Sequence, residues 1–320
     1  MRIVIPDDYQ NVVRSLACYK KLIGHEVMVF HDSVTDVGEL AARFADAEVL
    51  VLTRERTFIT GELLDRLPKL KLISQTGRIS SHLDLAVCTA HRVAVAEGQG
   101  APYSTAELTW GLILSSRRFI PQEVARLKSG QWQHTVGYGL RGHTLGVWSY
   151  GKIGKLVAQV GRAFGMRVWV WGRSGSCNAA RADGFEVAPS REAFFAESDV
   201  VSLHIRLNKD TQGTVTGDDL AHMKTDALIV NCSRAELIAP GALEAALKTG
   251  RPGFAAVDVF ESEPIFGAAH PLLAMPNVVA TPHLGYVERD NYELYFGMAF
   301  DNVVAFASGT PKGIANPEVL

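Results

Sequence analysis

The sequence predicts an α/β protein made of two doubly wound domains, each built on a parallel sheet. Short continuous apolar runs such as Val49-Leu50-Val51-Leu52 recur along the chain, as expected for strands buried on both faces of a sheet. Helix-sized segments separate these runs, for example residues 61–67, so the strands follow one another in βαβ units. The length of 320 residues suits two domains, because domains usually hold about 100–200 residues.

The composition excludes several other classes of protein. Hydrophobic residues make up 47% of the chain and charged residues 21%, which is the balance of a globular protein and not of a disordered one. The net charge of −2 provides no basic surface for nucleic acid. The sequence shows no apolar run of membrane-spanning length, and its acidic start argues against a signal peptide. The four cysteines lie far apart, which argues against a metal site or disulfides and favours the reducing cytoplasm.

The first domain is predicted to contain five strands. Their apolar runs lie at residues 2–5, 26–30, 48–52, 70–74 and 93–96. The glycine- and proline-bearing stretch 97–102 then marks a boundary. Ser104 and Glu107 have the spacing of a capping box, so we expect a helix from Ser104 to about Phe119.

The second domain is predicted to be a six-stranded parallel sheet of the Rossmann type. Its strands lie at residues 144–149, 167–171, 199–204, 227–232, 254–259 and 277–281 and alternate with helices. The aromatic-rich segment 288–307 predicts a last helix that packs on the first domain. The two domains are therefore interleaved: residues 1–103 and 291–320 form a smaller, flavodoxin-like domain for the substrate, and residues 104–290 form the cofactor domain.

The first strand of the second domain leads into a glycine loop. Ser149, Gly151 and Gly154 occupy the three glycine positions of a G-x-G-x-x-G dinucleotide-binding pattern. Gly151 would leave room for a pyrophosphate, Gly154 would let the next helix pack on the strand, and the helix N-terminus would offer N–H groups to phosphate. We expect Ser149 in the ordinary extended region; the alternative, a positive φ, would cost about 1 kcal/mol and weaken cofactor binding.

The end of the next strand favours NADP over NAD. An NAD site usually places an acidic residue there to bind the adenosine ribose, but Gly172 stands at that position. Arg173 and Ser174 follow, and a cation with a hydroxyl suits a 2′-phosphate. The missing acid also disfavours an S-adenosylmethionine site. If Arg173 is only a solvated charge, NAD remains the alternative cofactor.

Arg234, Glu263 and His283 each lie just after a late strand. Ligands of such sheets bind at the carboxyl ends of the strands, so we expect these three residues to converge on one cleft. Histidine titrates near neutral pH, and a carboxylate beside it favours its protonated form. His283 could then protonate a carbonyl oxygen while hydride reaches the carbon, and Arg234 could bind a substrate carboxylate bidentately. Each residue alone has an ordinary structural explanation, but the three together favour reduction of a 2-keto acid.

These motifs make the chain resemble the D-isomer-specific 2-hydroxyacid dehydrogenases, a family that includes phosphoglycerate dehydrogenases and glyoxylate/hydroxypyruvate reductases. The resemblance rests on residues 145–154, 231–234, 258–264 and 281–285. It implies hydride transfer between NAD(P)(H) and a small D-2-hydroxy or 2-keto acid. It also implies that Arg234, Glu263 and His283 are the catalytic residues.

The resemblance implies further binding residues. Lys152 and Ile153 would contact the pyrophosphate through their backbone, and Asp258 would face the nicotinamide carboxamide. Cys232 would be a cofactor contact and not a nucleophile. The remaining implied cofactor contacts are Ser233 and Gly285.

A loop of the first domain, Thr76-Gly77-Arg78-Ile79, matches the family loop whose backbone N–H groups bind the substrate carboxylate. The implied substrate-binding residues are Gly77, Arg78 and Ile79. Ile79 stands where the family has its second glycine, and its side chain would narrow the space for a substrate. Candidates for contacts to a second anionic group of the substrate are Tyr9, Arg54, Arg56, Arg78 and Trp110.

Two other functions are compatible with the same scaffold. The first is a non-enzymatic, NAD(H)-sensing protein similar to the corepressors of the family, and the second is another oxidation, such as that of formate or phosphonate. We expect the dehydrogenase because the full catalytic trio is present. We also expect a homodimer through the cofactor domain, as in many family members, and no metal, nucleic acid or membrane partner.

Overall fold

The computed structural model describes residues 1–320, which divide into two compact units. Met1–Ala101 and Glu288–Leu320 form the first unit, and Pro102–Val287 form the second. Each unit has its own parallel β-sheet, so the predicted α/β class is confirmed. The chain leaves the first unit after residue 101 and returns to it at residue 288.

The sheet of the first unit has the strand order of a flavodoxin-like fold. Its strands are β1 (Arg2–Ile5), β2 (Glu26–Val29), β3 (Val49–Leu52), β4 (Leu72–Gln75) and β5 (Ala94–Ala96), with helices α1 (Val37–Phe44), α2 (Gly61–Asp65) and α3 (Leu85–Ala90). The order is β2-β1-β3-β4-β5 and the pairs are parallel. All five predicted strands are present. Every residue of β3 is buried, which explains its unbroken apolar sequence.

The sheet of the second unit has seven strands. They are β6 (Thr144–Trp148), β7 (Arg167–Trp171), β8 (Glu186–Val187), β9 (Val200–Leu203), β10 (Leu228–Asn231), β11 (Phe254–Val257) and β12 (Val278–Ala280). The helices are α4 (Tyr103–Arg117), α5 (Ile120–Lys128), α6 (Lys152–Ala163), α7 (Ser174–Ala182), α8 (Arg191–Glu197), α9 (Gly217–His222) and α10 (Ala242–Thr249). The order β12-β11-β10-β9-β6-β7-β8 is that of a Rossmann sheet.

Two predictions about local structure are wrong. The sheet has one more strand than the six predicted. The additional strand, β8, was not predicted because it is only two residues long and leaves no apolar run in the sequence. The capping box at Ser104 does not form: α4 begins at Tyr103, its N-cap is Pro102, and the Ser104 hydroxyl is buried without a hydrogen-bond partner. Helix α4 ends at Arg117, close to its predicted end, and the left-handed backbone of Phe119 (φ 53°) separates α4 from α5.

The last helix, α11 (Arg289–Ala307), belongs to the first unit, as predicted. Phe296 and Phe300 on α11 are buried, and the hydroxyl of Ser74 on β4 donates to the carbonyl of Ala299 at 2.9 Å. The helix therefore completes the core beside β4. None of the helices combines the length and the hydropathy that crossing a membrane requires.

Candidate active site

His283 and Glu263 form a direct pair in the second unit. The Nδ1 atom of His283 lies 2.6 Å from Oε2 of Glu263, and the side chains are only 18% and 16% exposed. The other oxygen of Glu263 accepts from the backbone N–H of Phe260 at 2.9 Å. The carboxylate is therefore fixed from both sides, and Nε2 of His283 is the ring nitrogen that remains to meet a substrate.

Asp258 holds the turn that carries His283. Its Oδ1 atom accepts from the Thr281 hydroxyl at 2.6 Å and from the Leu284 N–H at 2.7 Å, while Oδ2 accepts from the Gly285 N–H at 2.8 Å. His283 itself has a left-handed backbone (φ 52°), which is strained for a residue with a side chain. Burial raises the pKa of Asp258, and these hydrogen bonds oppose the rise. Sequence reasoning missed this positioning role, because the contacting N–H groups leave no trace in the sequence.

The loop that carries Arg234 is fixed by the side chain at the end of β10. The Asn231 amide donates to the Arg234 carbonyl at 2.8 Å and accepts from the Ser233 N–H at 3.0 Å. The Ser233 hydroxyl donates to the Leu203 carbonyl on β9 at 2.9 Å. Because β10, β11 and β12 are neighbours in the sheet, Arg234, Glu263 and His283 all follow adjacent strands at one sheet edge.

Cys232 precedes this loop and is buried. Burial and the negative charge of Asp258 raise the pKa of the Cys232 thiol to about 12. The thiol is therefore protonated at neutral pH, and a protonated thiol is a poor nucleophile. This environment argues against Cys232 as a nucleophile.

The glycine loop follows β6 and differs from expectation at Ser149. Its φ is 82°, so the prediction of an extended conformation is wrong: the tight turn imposes a left-handed backbone although the residue has a Cβ. The Ser149 N–H donates to the Trp171 carbonyl on β7 at 2.7 Å, which holds the turn in place. A Cβ at Gly154 would clash with the Ser149 carbonyl, whereas a Cβ at Gly151 would meet nothing within 4 Å.

These residues fit a dinucleotide. Helix α6 begins at Lys152 with Gly151 as its N-cap, and no side chain caps it. The first N–H groups of a helix, here those of Lys152 and Ile153, have no partner within the helix and favour an anion. Arg173 and Ser174 are exposed at the end of β7 and the start of α7.

The loop 76–79 lies after β4 in the first unit. A Cβ at Gly77 would meet the guanidinium of Arg54, so the Arg54 side chain approaches this glycine closely. The N–H of Ile79 donates to Oε1 of Glu97 at 2.8 Å, and Arg78 is exposed. Sequence reasoning missed Glu97, because it interpreted residues 97–102 only as a boundary.

Trp110 is not a candidate for substrate contact. It is buried in the core of the second unit, its Nε1 donates to the Val157 carbonyl at 3.3 Å, and its ring packs against Phe164 with centroids 5.0 Å apart. The role of Trp110 is therefore to pack against apolar neighbours and not to contact a ligand.

Comparison with known proteins gives consistent matches. Residues 110–285 match the family model described as D-isomer specific 2-hydroxyacid dehydrogenase, NAD binding domain. A glyoxylate reductase of Aeropyrum pernix is 35% identical over 87% of this chain and 85% of its own length. A D-3-phosphoglycerate dehydrogenase of Methanocaldococcus jannaschii is 37% identical over 77% of this chain, which spans only 47% of that protein. A solved oxidoreductase structure from Ralstonia solanacearum is 53% identical with a TM-score of 0.97, covering 100% of this chain and 98% of the other.

Proposed function

We propose that this chain reduces a small 2-keto acid to the D-2-hydroxy acid, with NADPH as the favoured cofactor. The proposal starts from its family: the chain belongs to the D-isomer-specific 2-hydroxyacid dehydrogenases. The chain is an oxidoreductase of 2-hydroxy acids that uses a nicotinamide cofactor. The observation that carries the proposal is the 2.6 Å pair between His283 and Glu263. This pair supplies the proton that the reduction of a carbonyl requires.

In the proposed mechanism, His283 is the general acid. Glu263 holds Nδ1, so Nε2 of the imidazolium donates its proton to the substrate carbonyl oxygen. The nicotinamide, when bound, supplies the hydride that the carbonyl carbon accepts. Arg234 binds the substrate carboxylate with its forked donors, and the reverse reaction returns the proton to His283.

The cofactor-binding residues follow from the glycine loop and the strand ends. The pyrophosphate would lie at the N-terminus of α6, near Gly151, Lys152, Ile153 and Gly154. The nicotinamide end would contact Cys232, Ser233, Asp258 and Gly285.

The preference for NADPH rests on residues at the end of β7. Gly172 offers no carboxylate to a ribose, whereas the exposed Arg173 and Ser174 offer a cation and a hydroxyl to a 2′-phosphate. Quenching of tryptophan fluorescence can measure the binding of NADPH and of NADH, since Trp171 lies beside this site. Arg173→Ala should weaken the binding of NADPH about tenfold, because a charge-assisted hydrogen bond is lost. The affinity for NADH should not change. Tighter binding of NADH than NADPH by the wild-type protein would contradict the preference.

The substrate is proposed to be a small 2-keto acid bound through loop 76–79. Following NADPH absorbance with glyoxylate, hydroxypyruvate, pyruvate and bulkier keto acids tests this class directly. Turnover also excludes the non-enzymatic sensor, which would leave NADPH unconsumed. Arg54, Arg56 and Arg78 favour a second anionic group. If Arg78→Ala leaves the kinetics of dicarboxylic and phosphorylated keto acids unchanged, Arg78 has no such role.

We propose that the chain is a homodimer through α5 and residues 129–140. Helix α5 buries none of its residues, and the exposed fractions of Leu127, Trp132 and Val136 are 60%, 76% and 92%. Exposed apolar side chains grouped in one segment favour a protein partner, and the chain's own copy presents the same segment. Trp132→Ser with Val136→Asp should give a monomer in light scattering, while the control Ile23→Ser, equally apolar and exposed but distant in sequence, should not.

The proposed compartment is the cytoplasm. The four cysteines, Cys18, Cys88, Cys177 and Cys232, are all free and buried. Free thiols in this number are typical of a reducing environment. Fractionation of cells followed by detection of the protein tests this assignment.

A further inference from the structure

Two hydrogen bonds join loop 76–79 to the segment that follows β5. The Gly98 N–H donates to the Gly77 carbonyl at 2.9 Å, and the Ile79 N–H donates to Oε1 of Glu97 at 2.8 Å. The second bond places an internal carboxylate on an N–H of the loop that is proposed to bind the substrate carboxylate. An anion of this chain thus occupies one of the donors that an anionic substrate would use.

The backbone of Glu97 is held firmly in this position. Its N–H donates to the Gly313 carbonyl and its carbonyl accepts from the Asn302 amide, both at 3.2 Å. A Cβ at Gly98 would lie 2.7 Å from the Gln75 carbonyl oxygen, so glycine permits the close approach of the two segments. The Glu97 carboxylate is therefore presented to the loop by fixed backbone on either side.

The rest of the loop has the opposite electrostatic character. The N–H groups of Gly77 and Arg78 donate to no other group of the first unit, and the guanidinium of Arg54 lies against Gly77. The same guanidinium also lies 3.8 Å from the Glu55 carboxylate, so the two N–H groups, with Arg54 beside them, are what favours an anion at Gly77 and Arg78. Negative potential disfavours an anion at Ile79.

We propose that Glu97 is a specificity-determining residue: within loop 76–79 it leaves the N–H groups of Gly77 and Arg78 to the substrate carboxylate and repels that carboxylate from the N–H of Ile79. The inference rests on the proposed function of the loop. It explains how a loop with Ile79 in place of a glycine can still bind a carboxylate, because only two of its three donors are offered. It also implies weaker binding of any keto acid whose anionic groups reach Ile79.

Glu97→Gln separates this role from a structural one. The amide oxygen of glutamine can still accept from the Ile79 N–H, so the loop keeps its hydrogen bond while the negative charge is lost. We expect the KM for the keto acid to fall about fivefold, the effect of removing a like charge at short range in a solvated site, with kcat within about twofold of wild type. Glu97→Ala, which also frees the Ile79 donor, should lower KM at least as much.

The matched control is Glu62→Gln, which changes an exposed glutamate on α2 of the same unit that pairs with Arg66; the KM of this variant should not change. An unchanged KM for Glu97→Gln, or a raised KM for Glu97→Ala, would overturn the inference and leave the proposed function standing. Calorimetry with oxamate, a carboxylate that accepts no hydride, gives a readout independent of turnover. If the wild-type protein turns over no keto acid, the proposed function fails, and tighter oxamate binding by Glu97→Gln alone then decides whether Glu97 repels carboxylates.

Discussion

Glu263 holds the Nδ1 atom of His283 at 2.6 Å, and Glu261, two residues earlier, holds Nε2 of His270 at 3.1 Å. The two pairs have the same chemistry but different surroundings. Glu263 is 16% exposed, whereas Glu261 is 58% exposed. The chain therefore contains its own control for the catalytic role of the first pair.

His283→Ala should lower kcat by roughly 10²–10⁴, the usual contribution of a general acid. Glu263→Gln should lower it about tenfold to a hundredfold, because a hydrogen bond to a charged group contributes about 1.5–3 kcal/mol. Steady-state kinetics with NADPH and a keto acid measures both. Glu261→Gln should leave kcat unchanged; an equal loss in both glutamine variants would refute the assignment of the catalytic pair.

Gly154 and Gly151 should respond differently to alanine. Gly154→Ala drives a Cβ into the Ser149 carbonyl and should lower the free energy of unfolding by about 1–3 kcal/mol, as overpacking does. Gly151→Ala has open space and should fold normally but bind NADPH more weakly. Urea unfolding and fluorescence titration separate the two effects, and normal NADPH binding by Gly151→Ala would exclude a pyrophosphate at this residue.

Ser149→Gly should stabilise the protein. The φ of 82° at Ser149 strains a residue with a Cβ by about 1 kcal/mol or more, although glycine also raises the entropy of the unfolded chain. We expect a net gain of about 0.5 kcal/mol in the free energy of unfolding. Ser262→Gly, at an exposed position without positive φ, is the control and should give no gain.

His82 should make stability depend on pH. Burial lowers the pKa of His82 to about 4, and neither ring nitrogen has a hydrogen-bond partner. As the pH falls below the ordinary histidine value of about 6.5, the unfolded chain binds a proton that the folded chain refuses. Above about pH 6.5 the titration of His82 therefore costs the folded protein no stability. As the pH falls from 6.5 towards 4, the free energy of unfolding decreases, by roughly 2 kcal/mol at pH 5.

His82→Leu removes both this titration and the unpaired ring nitrogens. Urea unfolding at pH 7 and pH 5 should show a variant more stable than wild type by about 1 kcal/mol at pH 7, with a larger difference at pH 5. His134→Leu, at an exposed position, is the control for replacing a histidine by leucine outside the core. A difference for His82→Leu that shrinks at pH 5 would contradict the buried, neutral state of His82.

The strands could be predicted because a strand that is buried on both faces consists of consecutive apolar residues, as in Val49–Leu52. The positions of Arg234, Glu263 and His283 after adjacent strands could be predicted because polar side chains directly after buried strands are conspicuous. Strand β8 escaped prediction because a two-residue strand that includes Glu186 has no pattern. The backbone conformation of Ser149 could not be predicted because it depends on the turn as a whole. The hydrogen bond between Glu97 and Ile79 could not be predicted because it joins residues distant in sequence.

The return of the chain to its first unit through α11 affects how the protein is made. The apolar surface of the first unit stays incomplete until Phe296 and Phe300 leave the ribosome, after the whole second unit, Pro102–Val287, has been synthesised. At roughly 5–20 residues per second, this interval lasts about 10–40 s. The nascent sheet beside β4 must remain unaggregated for that time, so the second unit is the first part of the protein that can reach its native state.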